Sequence, residues 1–572
     1  MGPETTKTDA DQIQWLDVTE ARQQTFVAVD TFVRQAVEGG DAKIAPVLTL
    51  RVSPGVGKTR AMLNVLAKRG ADLLAEGNVL VFTPTLDLAD QACRDLKELA
   101  PQLPADVYRG RLAPRPGASA GETMCARPEL IRLLQGRVPS ITEAACRRER
   151  GDKQPVIAAC HDGCPYMAQL RQDEHRVVFL AHVLLRDHLP IRGPVSLVVI
   201  DEQIWSSRAE RDALPFDLLD AAPVADFEPE DRLTFDRMTS ALRRVFREGG
   251  ALAAAMAEAS VTPEQMMAFA EAELAALPRL VLNPAVPQAE ALERARGFDK
   301  GPRRHLKIRA EILQAVADNG FAPSQRVRLA QETVDGLPRD VLLHHRFSEL
   351  PRHAPTLLLD ADADPVITER LYPGAEFRRI DVKPDAEIIQ ISDRTMSPTS
   401  LLQGYGEDAG SNARQLRDEI ARVIRREADR SDGKTLLVAP KSVLQALRED
   451  DSVAEEAELL GTTARHYGPK LQGVNTYRHY STAILVGRIQ PSVNDVEDLA
   501  RSLFGDRGDS LKLIEGSSAF TEIEAEHLMA DGTRINGRCW QHPDPRANAL
   551  LRQIREASLL QALARLRLTD PS

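Results

Sequence analysis

Three things are scarce in this chain, and each scarcity excludes something. No apolar run reaches the roughly 18 residues needed to cross a bilayer, so a membrane-spanning protein is not expected. Positive charge is outweighed: 73 Lys and Arg stand against 84 Asp and Glu, a net charge of −11. That rules out a globally basic nucleic-acid coat but leaves room for a local basic groove. Cysteines number 6 in 572 residues. The amino end, MGPETTKTDADQIQW, is polar and acidic, without the apolar core of a signal peptide. A cytoplasmic location is therefore expected, where thiols stay reduced and unevenly spread cysteines point to metal rather than disulfides. The length is too great for one core, and several domains are expected.

What is present is an alternation of short β-rich runs and amphipathic segments, the mark of an α/β domain with a parallel sheet. VLTLRV, SPGVGKT, RAMLNVLAKRG and NVLVFT follow one another from Val47 to Thr83. The pattern lapses between 105 and 172, where Pro, Arg and Cys accumulate, and resumes with RVVFLAHVLL (176–185) and VSLVVIDEQ (195–203). From 206 to 350 strand signals nearly vanish and helical periodicity takes over, with Thr262-Pro263-x-Gln265 as a helix start. TLLLDADADP (356–365) reads as a buried strand returning to the first sheet. A second α/β stretch follows, with strands at RRIDV (378–382), KTLLVAP (434–440) and TAILVGR (482–488), and a terminal helix from Pro545.

SPGVGKT closes a predicted strand and opens a helix, the setting a phosphate-binding loop requires. Ser53, Pro54, Gly55, Val56, Gly57, Lys58, Thr59 and Arg60 would surround the nucleotide. Glycines let backbone N–H groups close on phosphates, Lys58 neutralises their charge, and Thr59 ligates Mg²⁺. Val52 stands where the general pattern has its first glycine; Gly55 and Gly57 give the G-x-G-K-T spacing instead. VSLVVIDE ends an apolar strand in two acids, so Asp201 would hold Mg²⁺ and Glu202 would orient or deprotonate the attacking water. Such chemistry needs a further cation. In ASLLQALARLR, Gln561 and Arg565 share a helix face at i, i+4 spacing, with Arg567 close by. An arginine finger and an amphipathic helix with solvated arginines are the two readings of that segment.

Taken together, these blocks resemble the motifs of superfamily 2 helicases. SPGVGKT is similar to motif I, FTPTLDLADQ (82–91) to motif Ia, VVIDEQ to motif II, LLLDADAD to motif III and QALARLR to motif VI. The chain departs from the family at Ala564, where glycine is usual, at Arg567, one residue early, and at Asp362, where threonine is common. The order of cysteine-rich insert, Cys-Pro-Tyr, RVVFLAHVLL and motif II resembles the XPD/DinG-type iron–sulfur helicases. HYGPKLQGVNTYRHYSTAILVGRIQPS also looks like helicases of phages and integrative elements.

The resemblance implies two RecA-like P-loop domains, the first carrying a Cys-rich insertion and a helical, arch-like one. On that view residues 1–44 are a helical lead-in; 45–104, 173–205 and 351–368 form RecA-like domain 1; and 105–172 form the Cys-rich insertion. Residues 206–350 would be the arch and 369–572 RecA-like domain 2. It implies ATP with Mg²⁺ and a 4Fe-4S cluster on Cys125, Cys146, Cys160 and Cys164. The spacing C-x20-C-x13-C-x3-C by itself also permits structural zinc, with His161 as a substitute ligand, or buried unliganded thiols. Single-stranded or forked DNA is the implied partner, touched by Thr83, Pro84 and Thr85 and by a basic run holding Arg303, Arg304, Lys307 and Arg309; that run also reads as a solvated helix face. The expected function is an ATP-dependent DNA helicase or translocase. Two other classes compete: a DNA-packaging motor, for which AEHLMADG (525–532) supplies too few acids for a nuclease, and a non-hydrolysing, nucleotide-switched DNA-binding protein.

Overall fold

A computed structural model describes residues 14–38, 44–151, 153–185, 191–334, 336–391, 394, 396–404, 408–448, 456–468, 476–514, 519–528 and 533–566. Arg567 lies outside them.

The runs VLTLRV, NVLVFT and VSLVVID are apolar on both faces because both faces of their sheet are covered. Eight strands form it, in the order Trp15–Leu16, Glu376–Val382, Val47–Val52, Thr356–Asp360, Val195–Asp201, Asn78–Thr83, Val177–Ala181 and Ala105–Val107. Every neighbouring pair is parallel. The period of two divides the core: Val79 and Val81 join one buried cluster, with helices Val18–Glu38, Lys58–Glu76 and Leu86–Leu99. Leu80 and Phe82 join the other, with the cysteine segment and C-terminal helices. Because the strands are parallel, SPGVGKT, DADAD and Asp201-Glu202 leave the sheet at the same edge, where ligands of open α/β sheets bind.

Within residues 209–347 a second core forms around Phe235, Met238, Met266, Leu313 and Leu342, while Leu282, Ala291 and Ala295 pack with the cysteine segment. Its helices include Pro229–Glu248, Pro263–Ala275 and Lys300–Asp318, the second opened by the expected Thr262–Gln265 capping box. The helix-only expectation is corrected here: Ala209–Pro215, Val327–Val334 and Leu337–Phe347 make a three-stranded antiparallel sheet. These strands carry consecutive polar residues, Glu210-Arg211-Asp212, Gln331-Glu332-Thr333 and His344-His345-Arg346, which masked them.

A smaller sheet is built from Glu456–Leu459, Thr462–His466, Lys434–Ala439 and Tyr480–Leu485, in that order. Lys434–Ala439 runs parallel to both of its neighbours. The boundary expected at 368/369 does not match the strand pairing. Glu376–Val382, containing RRIDV, hydrogen-bonds to Val47–Val52 in the large sheet, since an apolar strand pattern does not name its partner. The lead-in is likewise part of the large sheet, Trp15 and Leu16 pairing with Asp381 and Val382. Helix Pro545–Leu563 enters both cores: Ala547, Leu550 and Leu551 pack with the large sheet, and Ala562 packs with Leu436 and Val438 of the small one.

Candidate functional site

The loop after Val47–Val52 is held open by its glycines. Gly55 and Gly57 have φ of 86° and 103°, a region that side chains disfavour. The loop is tied to the adjacent strand, Ser53 N donating to Ile380 O at 3.0 Å and Val382 N to Ser53 Oγ at 2.9 Å. Val56 is buried, and Arg60 is exposed at the start of the helix. Helix Lys58–Glu76 begins with no side-chain cap, so its first N–H groups remain to receive an anion. A Cβ built on Gly57 would meet nothing nearer than Arg60 Cβ at 3.9 Å, which leaves room for a phosphate group.

Two ligand pairs close the site across the sheet. Lys58 Nζ lies 2.9 Å from Glu202 Oε1, and Thr59 Oγ1 donates to Asp201 Oδ2 at 2.8 Å. Glu202 occupies a left-handed conformation, φ 68°, and its N–H donates to Leu359 O at 2.7 Å; strain of this kind gathers at functional positions. Burial opposes charge on Lys58, but Glu202, Asp201 and Asp360 outweigh it and push its pKa up to about 12. Burial also opposes charge on Glu202, and Lys58 reverses that and holds it below its usual range. Burial, then the Glu202 charge, raises Asp201 to about 6 and Asp360 to about 7. Asp201 Oδ1 is buried and has no hydrogen-bond partner among the described residues, an acceptor suited to a divalent cation.

His182, which no motif in the sequence singles out, donates from Nε2 to the Asp201 carbonyl at 2.8 Å. Burial brings its pKa down to about 4, so it is a neutral prop beneath motif II. Asp360 was legible by the signal that found Asp201, an acid ending a buried strand, yet went unassigned.

The C-terminal helix reaches the same edge. Gln561 Nε2 donates to Asp362 Oδ2 at 3.1 Å, Gln553 Nε2 to Asp362 O, and Arg565 Nε to Gln561 O at 3.1 Å. Burial lowers the Arg565 pKa while the charges of Glu202 and Asp362 counter it; the guanidinium stays charged. The solvated-arginine reading of this helix therefore does not hold for Arg565.

The DNA contacts fare less well. Thr83 is buried, its hydroxyl donating to Thr85 O at 2.9 Å, so it is not free for a phosphate. Pro84 is half-buried, and Thr85 caps helix Leu86–Leu99 by accepting from Leu88 N. Arg303 is turned back onto Pro278 O at 2.7 Å, and Arg309 is buried against Glu273. Arg304 and Lys307 remain on the exposed face, near Asp212 and Glu311.

Cys125, Cys146 and Cys164 are buried and Cys160 is half-buried, all as free thiols. Burial raises the Cys125 and Cys146 pKa values, and Cys125 feels the charges of Cys164, Cys146 and Cys160. Arg127 N donates to Cys125 Sγ at 3.5 Å, and Tyr166 N to Met124 O at 3.3 Å, tying the loops together. His161 Nε2 is buried without a hydrogen-bond partner. The expected metal site is not formed as such: among the described residues, no group of three or more His, Cys, Asp or Glu side chains stands in metal-holding geometry. Among the described residues, no helix is long and apolar enough to cross a membrane.

No protein-family model matches the chain, and no curated protein matches it. Among solved structures, the chain is similar to one described as an XPD helicase, at 12% identity and a TM-score of 0.41, over 84% of this chain and 87% of that one. It is similar to Xpd4 of S. tokodaii at 12% identity and a TM-score of 0.36, over 84% and 87%. A truncated XPD is matched at 12% identity and a TM-score of 0.30, over 62% of this chain and 99% of that one.

Proposed function

We propose that the chain is an ATP-dependent DNA helicase or translocase, with two RecA-like units enclosing the nucleotide. The observation that carries this reading is the convergence of Lys58 with Glu202 and of Thr59 with Asp201, residues 144 and 142 positions apart, faced by Arg565 from the last helix. On entry of ATP, Lys58 exchanges its Glu202 partner for phosphate oxygens. That exchange frees the Glu202 carboxylate to accept a proton from the attacking water. The helix N–H groups and Arg565 stabilise charge on the transferring phosphoryl group. Asp201 Oδ1 and the Thr59 hydroxyl would hold Mg²⁺, which supplies charge neutralisation between the phosphates. Single-stranded DNA is the proposed track, with Arg304 and Lys307 as candidate phosphate contacts.

Cys125, Cys146, Cys160 and Cys164 would hold a 4Fe-4S cluster, a reading supported by four free thiols in one segment, with Cys164, Cys146 and Cys160 acting electrostatically on Cys125; zinc on the same thiols is the alternative. A bound cluster would crosslink the loops of 105–172 and stiffen them. The test is phosphate release with and without single-stranded DNA, alongside separation of a forked duplex. DNA-stimulated hydrolysis and strand separation are expected. Hydrolysis indifferent to DNA, or DNA binding without hydrolysis, would return the chain to the motor or switch classes.

A further inference from the structure

We propose that Asp362 is the positioning residue that sets Arg565 against the nucleotide. The inference rests on the nucleotide reading above. Asp362 leaves the sheet edge two residues beyond strand Thr356–Asp360, and its N–H donates to Asp360 Oδ1 at 3.1 Å. Its remaining hydrogen-bonding groups reach across to one helix. The backbone carbonyl accepts from Gln553, and the carboxylate accepts from Gln561 at 3.1 Å. Gln553 and Gln561 are about 12 Å apart along the helix axis, at 1.5 Å per residue. Two long side chains therefore lean from opposite directions onto a single residue. Asp362, Gln553 and Gln561 are 5%, 7% and 8% exposed, so water does not substitute for either bond.

The second grip matters for chemistry because of where the helix stops. Pro545–Leu563 gives way to a short 3-10 turn, Ala564–Leu566, that carries Arg565. Helix ends fray unless something holds them. Arg565 Nε is held by the carbonyl of Gln561, and the Gln561 side chain is held by Asp362. The path from the sheet edge to the guanidinium thus runs through two hydrogen bonds, and Asp362 is its fixed end. This also accounts for an acid where the resembling family commonly has threonine: a carboxylate reaches one bond further than a hydroxyl and presents two acceptors. A threonine here would leave the Gln561 amide buried without its partner.

The experiment compares steady-state ATP hydrolysis of wild type, Asp362→Ala, Asp362→Asn and Gln561→Ala. Displacing a transition-state group by about 1 Å costs about 10²-fold in rate. Asp362→Ala and Gln561→Ala are each expected to lower kcat by about that factor, with KM for ATP changed far less. Asp362→Asn keeps an acceptor oxygen of the same shape and is expected to restore most of the loss. Adding Asp362→Ala to Arg565→Ala should lower kcat little further, because one route is removed twice. Losses that multiply, or an Asn variant no better than Ala, overturn the proposal. A second readout stands apart from turnover: hydrogen exchange of residues 559–566 in the nucleotide-free protein should quicken in Asp362→Ala. Unchanged exchange there overturns the proposal even if the wild type proves not to hydrolyse ATP, an outcome that would sink the nucleotide reading separately.

Discussion

Lys58→Met separates the two roles of the lysine. Methionine keeps much of the stem and removes the charge. In the nucleotide-free protein, Lys58 is the partner of Glu202 at 2.9 Å. Its pKa moves from 10.5 to about 12, which at 1.36 kcal/mol per unit corresponds to about 2 kcal/mol of net stabilisation. The sign follows from the direction: a base whose pKa rises on folding contributes fully below 10.5 and loses that contribution as pH climbs through 12. Glu202, held low, loses its share only as pH falls through its folded value. The effect is therefore present throughout the neutral range. Lys58→Met should weaken the fold by about 2 kcal/mol, less than the 3–5 kcal/mol of a fully buried pair, because Arg565 still faces Glu202. Unfolding in urea at pH 7.5, followed by the fluorescence of Trp205, which is buried next to Glu202, measures the shift. Turnover should fall by about 10²–10³-fold or more. Lys58→Met with Glu202→Gln should regain the stability, since no carboxylate is left stranded, and stay inactive. A single variant as stable as wild type, or a double variant no more stable than the single, would refute this account of the site.

Three further outcomes are expected. Arg565→Ala should lower kcat by about 10³-fold while nucleotide binding, followed by a fluorescent ATP analogue, persists; equal loss of binding would argue against a transition-state role. Asp360, raised from 3.8 to about 7, favours the folded state fully below pH 3.8 and loses that contribution as pH rises through 7. Melting temperatures of the nucleotide-free protein should accordingly fall from pH 5 to 8, and Asp360→Asn should flatten that slope. Anaerobic purification with metal analysis should find iron near four per chain and a visible absorption band, both lost in Cys164→Ser; zinc near one per chain would select the alternative, and no metal would remove the cluster.

The half of the site proposed to bind nucleotide was legible because each of its parts is a contiguous strand, turn and helix written in order. Asp201-Glu202 and Gly57-Lys58-Thr59 needed no knowledge of the fold to be paired. Arg565 was legible only in company with them, since a lone arginine on a helix says nothing of what it faces. Thr83 misled because the residue type fits a phosphate while the position, inside a fully buried strand, turns its hydroxyl to the backbone. Glu376–Val382 has the pattern of a strand but not the address of its sheet. Leu337–Phe347 lost its strand signal to consecutive polar residues, Arg339-Asp340 and the buried His344-His345, that break the period of two. The cysteines are intermediate: four thiols share one segment of sequence, and among the described residues no group of three or more ligand side chains stands where it would hold a metal.

Helix Pro545–Leu563 is gripped at one end by Ala547, Leu550 and Leu551 in the large core and at the other by Ala562 in the small one. Gln553 and Gln561 bond Asp362 along the same helix, so the helix is keyed to the large sheet over most of its length. A displacement of the small core carried through Ala562 would therefore reach the strand ends along a rigid rod rather than through a loop.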